Sequence, residues 1–336
     1  MRERPGQPEP FLQGCAWPAG EEAPYPRCDP GPEGLRLPAD TRSSAALPVG
    51  VRFSFLGEPE YLEVEYETET TDLGYRGDGA GTQFVLYRGN ERVDEAEAQL
   101  GKGRIKLSTG EGPEIATLYL PEGMRPRVLG LHPHGGPIKA PKTQPRWLCY
   151  GDSIAEGWCT TGPALAWPHI VAREHHLDVV NLGYAGAARG EIASAQEIAS
   201  LPTALISISH GTNCWSRTPH SARLFAESMR AFIEIVRRGH PELPVVAISP
   251  IVRPDAEHTI NLLGSTLEDL RTAFEDIVSE CIQIGDQNLT LVKGRNLVDS
   301  EMLPDGIHPG NEGHAEMAHT LGPILSRAAH QGETNA

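Results

Sequence analysis

Apolar and polar residues alternate along the first half of the chain from about residue 50. In YLEVEYE, Leu62, Val64 and Tyr66 alternate with glutamates. The segments GVRFSF, QFVLYR, EIATLYL and RVLGLH continue this pattern between residues 50 and 132. A period of two is typical of strands that bury one face. Because turn-rich stretches and no clear helical pattern separate these segments, they predict an antiparallel β-sandwich.

The pattern changes to alternating strands and helices beyond residue 146. Apolar strands are predicted at 147–150, 178–183, 204–209, 244–250 and 289–294. Helical stretches are predicted near 164–176, 189–200, 219–238, 265–283 and 311–329. Such alternation predicts a parallel sheet with helices on both faces, which is a three-layer α/β fold. Ligands of this fold bind outside the carboxyl ends of the strands.

These patterns divide the chain into three parts. Residues 1–48 are rich in Pro, Gly, Glu and Arg, so we expect an extended or partly disordered segment there. Residues 49–140 are expected to form the β-sandwich, in a jelly-roll-like arrangement, and residues 146–330 the α/β domain. Three prolines between residues 135 and 147 indicate a linker between the two domains.

Charge and cysteine spacing narrow the classes of partner. The formal net charge is −16 and no basic stretch is present to neutralise phosphates, so we expect neither nucleic acid nor a membrane as a partner. The six cysteines form no C-x-x-C pair, and we expect neither a metal nor another cofactor. The first residues contain no apolar signal region, which leads us to expect a cytoplasmic protein with free thiols.

Chemically active residues follow the predicted strands of the α/β part. Gly-Asp-Ser at 151–153 follows the first strand, Asn181 to Gly186 end the second, and Gly211 to Asn213 follow the third. Asp305 to His308 precede the last helix. Because the carboxyl ends of parallel strands meet at one edge of the sheet, we expect these four loops to converge.

The converging side chains match the requirements of acyl transfer through a serine. Ser153 would attack the acyl carbonyl, and His308 would accept its proton and return it to the leaving group. Asp305, three residues before His308, would orient the imidazole. The N–H groups of Ser153 and Gly186 and the side-chain amide of Asn213 would hold the oxyanion.

Three further residues are candidates for the substrate pocket because they are close in sequence to this site. They are Trp158, Trp215 and Arg217. For Trp215, a wall of the pocket and ordinary packing are both open. Trp167 is expected in the core, and Arg253 is expected to be a solvated surface residue.

The four motifs, in this order, resemble the blocks of the SGNH (GDSL) hydrolase superfamily. They are Gly-Asp-Ser at 151–153, N-x-G-x-x-G at 181–186, G-x-N at 211–213 and D-x-x-H at 305–308. The resemblance implies a flavodoxin-like domain with five parallel strands. It also implies that Ser153 is the nucleophile, that Gly186 and Asn213 are oxyanion donors, and that Asp305 and His308 complete the triad.

Two positions depart from the pattern of the superfamily. Ile154 stands where its short name has leucine, which is a change between similar apolar residues. Cys214 follows Asn213, where many members have aspartate, and this puts in doubt how the Asn213 amide is supported.

The resemblance leaves the acyl acceptor open. A β-sandwich ahead of an SGNH domain resembles carbohydrate esterases, and it also resembles acyltransferases that decorate polyketides from an acyl-CoA donor. We expect an esterase that acts on a small-molecule or sugar ester, with an acyltransferase using an acyl-CoA donor as the alternative. A second alternative is a non-catalytic protein for sugar binding or docking.

Overall fold

A computed structural model describes residues 6–18, 24–72 and 80–335 of the chain. Two antiparallel sheets come first along the chain, and a parallel sheet with helices on both faces follows. This arrangement confirms the predicted fold class, an α/β domain with five parallel strands that follows an antiparallel β-sandwich.

Among the described residues, the sandwich has eight strands in two sheets. They are β1 (Leu12–Gln13), β2 (Arg52–Phe55), β3 (Tyr61–Thr68), β4 (Gln83–Arg88), β5 (Glu91–Glu97), β6 (Gly101–Ser108), β7 (Ala116–Tyr119) and β8 (Arg127–His134). One sheet has the order β1-β2-β7-β4-β5 and the other β6-β3-β8. Phe53 and Leu118 of the first sheet and Leu62 and Val64 of the second belong to one hydrophobic core.

The alternation of apolar and polar residues predicted some of these strands but not others. In β3 the apolar positions are buried and the intervening glutamates are only half-buried, as the period of two predicted. Strands β5 and β6 were missed, because most of their side chains are exposed or half-buried and many are charged. A solvated strand at the edge of a sheet, such as β5 or β6, does not need the alternation of apolar and polar residues that is typical of a half-buried strand.

The parallel sheet has the order that the flavodoxin-like fold requires. Its strands are β9 (Arg146–Gly151), β10 (Asp178–Gly183), β11 (Leu205–Ser209), β12 (Val245–Ile248) and β13 (Leu289–Val292). They lie in the order β10-β9-β11-β12-β13, and every pair of neighbours is parallel. The order changes direction at β9, so the loops after β9 and β11 lie beside each other at the switch point, where ligands of such sheets bind.

Helices surround this sheet, and one further helix lies between β1 and β2 in the chain. They are α1 (Ala39–Ala45), α2 (Ser153–Glu156), α3 (Trp167–His175), α4 (Ile192–Ser200), α5 (Thr212–Ser216), α6 (Ala222–Gly239), α7 (Leu267–Gln283) and α8 (Asn311–Asn335). Short 3₁₀ turns occur at Glu9–Phe11, Gly34–Arg36, Glu122–Met124, Gly294–Asn296 and Ser300–Met302. In the described ranges, no helix is both long enough and apolar enough to cross a bilayer.

Part of the N-terminal segment is folded against the parallel sheet. Helix α1 buries Thr41, Ser44 and Ala45, and the side chain of Arg27 is completely buried. The sequence analysis expected extended or partly disordered chain here, because small and polar residues give no hydrophobic period. Residues 1–5 and 19–23 of the segment lie outside the described residues. The domain boundaries after residues 48 and 140 stay a prediction.

The sandwich contacts the parallel sheet at the amino end of β10. The Arg52 guanidinium lies 3.1 Å from the carboxylate of Asp178, the first residue of β10, and donates a hydrogen bond to the carbonyl of Val179 at 3.0 Å. This pair does not reach the carboxyl end of β10, where Gly183 ends the strand and contacts other residues.

Candidate active site

Ser153 lies where strand β9, which is flanked by β10 and β11, is followed by the short helix α2. Asp152 caps this helix, because its carboxylate accepts a hydrogen bond from the N–H of Ile154 at 3.0 Å. Gly157 ends the helix with φ +94°, a conformation that favours glycine. The serine is therefore held at the carboxyl edge of the sheet. Its N–H belongs to the first helical turn, where amides have no carbonyl partner within the helix.

One side-chain hydrogen bond connects Ser153 with the loop before α8, and a second lies within that loop. The Oγ of Ser153 lies 2.8 Å from Nε2 of His308. The other imidazole nitrogen, Nδ1, lies 2.6 Å from Oδ2 of Asp305. The second carboxylate oxygen of Asp305 accepts hydrogen bonds from the N–H groups of Ile307 at 2.9 Å and His308 at 2.8 Å. The structure thus brings the three predicted residues together in the predicted sequence of contacts.

The electrostatics of this cluster favour an ionised Asp305 and a neutral His308. Partial burial raises the pKa of Asp305, but hydrogen bonds from the His308 imidazole and from two backbone N–H groups outweigh it and lower the pKa to about 2. Burial lowers the pKa of His308 below its ordinary value, Asp305 acts in the opposite direction, and the Arg253 cation lowers it further. A neutral imidazole next to a hydroxyl can accept its proton.

The predicted oxyanion donors lie on the two loops that flank Ser153. Asn213 is in the first turn of α5, and one N–H of its amide donates to the carbonyl of Ala188 at 3.0 Å. This bond orients the amide and leaves its second N–H for a ligand. Because Cys214 stands in place of an aspartate, the sequence left open what supports the Asn213 amide. The structure shows that the backbone of the loop after β10 supports it. Gly186, on that same loop, has φ +68°, a value that favours glycine.

Asp152 joins the loop of Ser153 to the loop of Asn213. Burial raises the pKa of Asp152 to about 6, although hydrogen bonds from the N–H groups of Ile154, Thr212 and Gly211 lower it. A single carboxylate therefore holds the start of α2 and the start of α5 together. Asp152 is thus a hydrogen-bond partner for backbone groups of both loops.

The three predicted pocket residues lie around the site with different surroundings. The Trp158 ring stacks on the His308 ring, with centroids 5.1 Å apart. The Trp215 indole N–H donates to the carbonyl of Thr259 at 2.8 Å. The guanidinium of Arg217 is exposed, and its Nε lies 3.9 Å from the position that a Cβ on Gly186 would occupy. Trp167 is in the core, where it packs against Trp147.

The prediction that Arg253 is a solvated surface residue is wrong. Its side chain is buried, and its guanidinium lies over the Trp215 ring, 4.8 Å from the centroid. Its Nε donates to a carboxylate oxygen of Asp255 at 2.9 Å. A flat cation can be buried in this way because the aromatic face and the carboxylate together replace its hydration. No local sequence signal distinguishes such an arginine from a solvated one.

Cys159 is a neighbour of the site that the sequence analysis missed. Its Sγ lies 3.6 Å from Oδ2 of Asp305, the oxygen that also faces His308. Ligand atoms of these three residues lie within 4.8 Å of one another, close enough to hold a metal ion. However, burial and the Asp305 charge raise the pKa of Cys159 to about 11, so the thiol keeps its proton. In this protonated form the Cys159 thiol is a hydrogen-bond donor to Asp305.

We predict opposite shifts of the His308 pKa in two variants. In the wild type the pKa lies below the usual value of about 6.5. Asp305→Asn removes the carboxylate that raises the pKa and should lower it further, whereas Arg253→Met removes a cation and should raise it. An NMR titration of the imidazole checks both shifts. Shifts of the same sign in the two variants would contradict this account of the electrostatics.

Residues 149–316, half of the chain, match the sequence profile of the GDSL-like lipase/acylhydrolase family. No curated protein sequence matches the chain. Among solved structures, the salicylyl-acyltransferase SsfX3 from a tetracycline biosynthetic pathway is similar at a TM-score of 0.80 and 23% identity, over 94% of each chain.

Two further solved structures share the architecture. A protein of Bacteroides ovatus assigned to the GDSL-like lipases has a TM-score of 0.76 at 19% identity, over 94% of this chain and 95% of that one. A family two carbohydrate esterase from Clostridium thermocellum has a TM-score of 0.60 at 17% identity, over 82% of this chain and 91% of that one. At these identities the likeness shows a common fold. Together with the matching profile and the arrangement of its motifs, it establishes that this chain belongs to the GDSL-like lipase/acylhydrolase family.

Proposed function

We propose that the protein is a serine-dependent acyl-ester enzyme that forms an acyl-enzyme on Ser153 and releases the acyl group to water. The observation that carries this proposal is the hydrogen-bonded chain from Ser153 Oγ through His308 to Asp305, at 2.8 and 2.6 Å. A serine hydroxyl is a weak nucleophile unless a base accepts its proton. His308 is held in the position and in the protonation state that this task requires.

In the first half of the proposed reaction, the Oγ of Ser153 attacks the acyl carbonyl carbon and its proton passes to Nε2 of His308. The carbonyl oxygen becomes an oxyanion, which the N–H groups of Ser153 and Gly186 and the amide of Asn213 stabilise. Asp305 stabilises the imidazolium that forms. The intermediate then breaks its bond to the leaving group, which takes the proton from His308, and the acyl group stays on Ser153.

In the second half, a hydroxyl compound attacks the ester carbon of the acyl-enzyme while His308 accepts its proton. Collapse of the intermediate breaks the bond to Ser153 Oγ, and the proton returns to the serine. If the attacking hydroxyl belongs to water, the product is a free acid. If it belongs to another molecule, the product is a new ester. The same residues serve both outcomes, so the triad alone does not choose between them.

We place hydrolysis first, on a small-molecule or sugar ester, because the family is named for acylhydrolases and its neighbours include carbohydrate esterases. The alternative is transfer from an acyl-CoA-type donor to a hydroxyl of a small molecule such as a polyketide. The likeness of both domains to the salicylyl-acyltransferase, over 94% of each chain, supports that alternative. Trp158, Trp215 and Arg217 are proposed to line the substrate pocket in either case.

A serine-directed fluorophosphonate probe tests the nucleophile. We predict that the wild type is labelled, because the probe requires a serine that a neighbouring base activates. Ser153→Ala should abolish labelling, while Ser108→Ala, which removes an exposed serine of the sandwich, should leave it intact. An unlabelled wild type would support the non-catalytic sugar-binding or docking alternative. Labelling that survives in Ser153→Ala would place the nucleophile elsewhere.

Product analysis separates hydrolysis from transfer. We predict that a short activated acyl ester gives only the free acid, even when alcohols, sugars and hydroxylated aromatics are added, and that Ser153→Ala gives none. A new ester that forms in competition with the free acid would establish the acyltransferase and overturn hydrolysis as the main reaction. In that case the same assay with acyl-CoA thioesters would test the donor.

A further inference from the structure

The loop that carries Gly186 is held by a residue from the N-terminal segment. Arg27 has no exposed surface, and its Nη1 donates to the carbonyls of Asn181 at 3.0 Å and Gly183 at 2.6 Å. These carbonyls belong to the last residues of β10, immediately before the turn to Gly186. Arg27 therefore fixes the carboxyl end of this strand from outside the parallel sheet.

The remaining donors of Arg27 fix the arginine to its own segment. Its Nη2 donates to the carbonyl of Ser44 and its Nε to the carbonyl of Leu47, both at 2.6 Å. In the reverse direction, the Tyr184 hydroxyl donates to the carbonyl of Arg27 at 2.6 Å. The central carbon of the Arg27 guanidinium also lies over the Tyr184 ring, 5.4 Å from the centroid of that ring. The segment and the loop thus hold each other through both backbone and side chain.

Glu156 completes this contact from the helix of the nucleophile. It lies three residues after Ser153 in α2 and is completely buried. Its Oε2 accepts hydrogen bonds from the N–H of Ala185 at 2.6 Å and from the hydroxyl of Ser44 at 2.9 Å. The same oxygen lies 3.9 Å from Nη2 of Arg27, which balances its charge.

Helix α2 and the carboxyl end of β10 are packed closely against each other. A Cβ on Gly183 would overlap the backbone of Glu156, so strand end and helix are in direct contact. Ala185, which Glu156 holds, immediately precedes Gly186. An oxyanion donor is effective only when its N–H is fixed at the place where charge develops. A small displacement of residues 183–185 would move the Gly186 N–H away from that place.

We propose that Arg27 and Glu156 are positioning residues that fix the Gly186 N–H relative to Ser153, which makes the N-terminal segment part of the catalytic machinery. This inference rests on the proposed function, because it assigns Gly186 to the oxyanion. Neither residue reaches the substrate. Their effect on the reaction passes through the backbone of residues 181–186.

The chain offers a matched control at the other end of the same strand. Arg52 and Asp178 also form a buried pair, at 3.1 Å, between the early part of the chain and β10. Asp178 is the first residue of β10 and Gly183 the last, so the two pairs are about 16 Å apart along the strand. Arg52→Met should therefore reduce stability without acting on the oxyanion loop.

The test compares kcat, KM and the melting temperature of Glu156→Ala, Glu156→Gln, Arg27→Met and Arg27→Lys with those of Asn213→Ala, Arg52→Met and the wild type. We expect Glu156→Ala and Arg27→Met to lower kcat by about 10- to 10³-fold with KM within about threefold, the pattern also expected for Asn213→Ala. Glu156→Gln keeps an oxygen for Ala185 and should recover part of the loss. Arg52→Met should keep kcat within about twofold of the wild type.

Hydrogen exchange gives a readout that a general loss of stability does not produce. Faster exchange confined to residues 183–187 is expected in the Glu156 and Arg27 variants and not in Arg52→Met. If Glu156→Ala or Arg27→Met does not fold, the conservative variants Glu156→Gln and Arg27→Lys carry the comparison. Wild-type kcat in the folded variants, or a loss that follows the melting temperature as in Arg52→Met, would overturn the proposal.

Ser153→Ala in the same assay separates the two claims. Loss of activity in Ser153→Ala together with unchanged kcat in the Glu156 and Arg27 variants would overturn the positioning role and leave the proposed function standing. Activity that persists in Ser153→Ala would overturn the proposed function, and with it the positioning role.

Discussion

The hydrogen bond between Ser153 Oγ and His308 Nε2 joins residues that are 155 positions apart in the chain. A contact of 2.8 Å over that separation can form only if the whole α/β domain places the end of β9 next to the start of α8. The strand order places the loop after β9 between the loops after β10 and β11, and α8, which packs against α3, β11 and β12, holds the His308 loop at the same edge. The fold of the α/β domain is therefore a condition for the proposed chemistry.

Carboxylates fix the loops at this edge by accepting hydrogen bonds from backbone N–H groups, and two of them, Asp152 and Glu156, are buried. Asp152 holds the start of α5, Glu156 holds Ala185, and Asp305 holds its own turn through Ile307 and His308. A buried acid without such donors would be costly, and these donors would be costly without an acceptor. Each carboxylate thus accepts hydrogen bonds from backbone N–H groups that have no partner within a regular element. The same hydrogen bonds fix the loop.

Local motifs made most of the site predictable from the sequence. D-x-x-H places a carboxylate and an imidazole on one turn, and a serine after an apolar strand lies at the edge of the sheet wherever the strand belongs to a parallel sheet. The spacing within each motif therefore contained the geometry for Ser153, Asn213, Asp305 and His308. The same reasoning predicted the five strands of the sheet and the helices between them, since buried parallel strands are continuous apolar runs.

Contacts without a local pattern were not predictable. Arg27 binds the carboxyl end of β10 across 154 and 156 positions of sequence, and the segment around it has no hydrophobic period. Arg253 is buried by an aromatic ring and a carboxylate that no spacing rule connects to it. Strands β5 and β6 were missed because their side chains are mostly solvated. For Arg27, and for the contact between Arg253 and Trp215, the structure depends on a pairing between distant residues that a single sequence does not reveal.

The central claim is that an acyl group is carried by Ser153. Mass spectrometry of the protein, quenched with acid shortly after it is mixed with a slowly released acyl ester, tests this claim most directly. The account predicts that the protein gains the mass of one acyl group, that the group is found on the peptide containing Ser153, and that Ser153→Ala gains none. Acylation at another residue, or turnover with no acylated protein at any time, would contradict it.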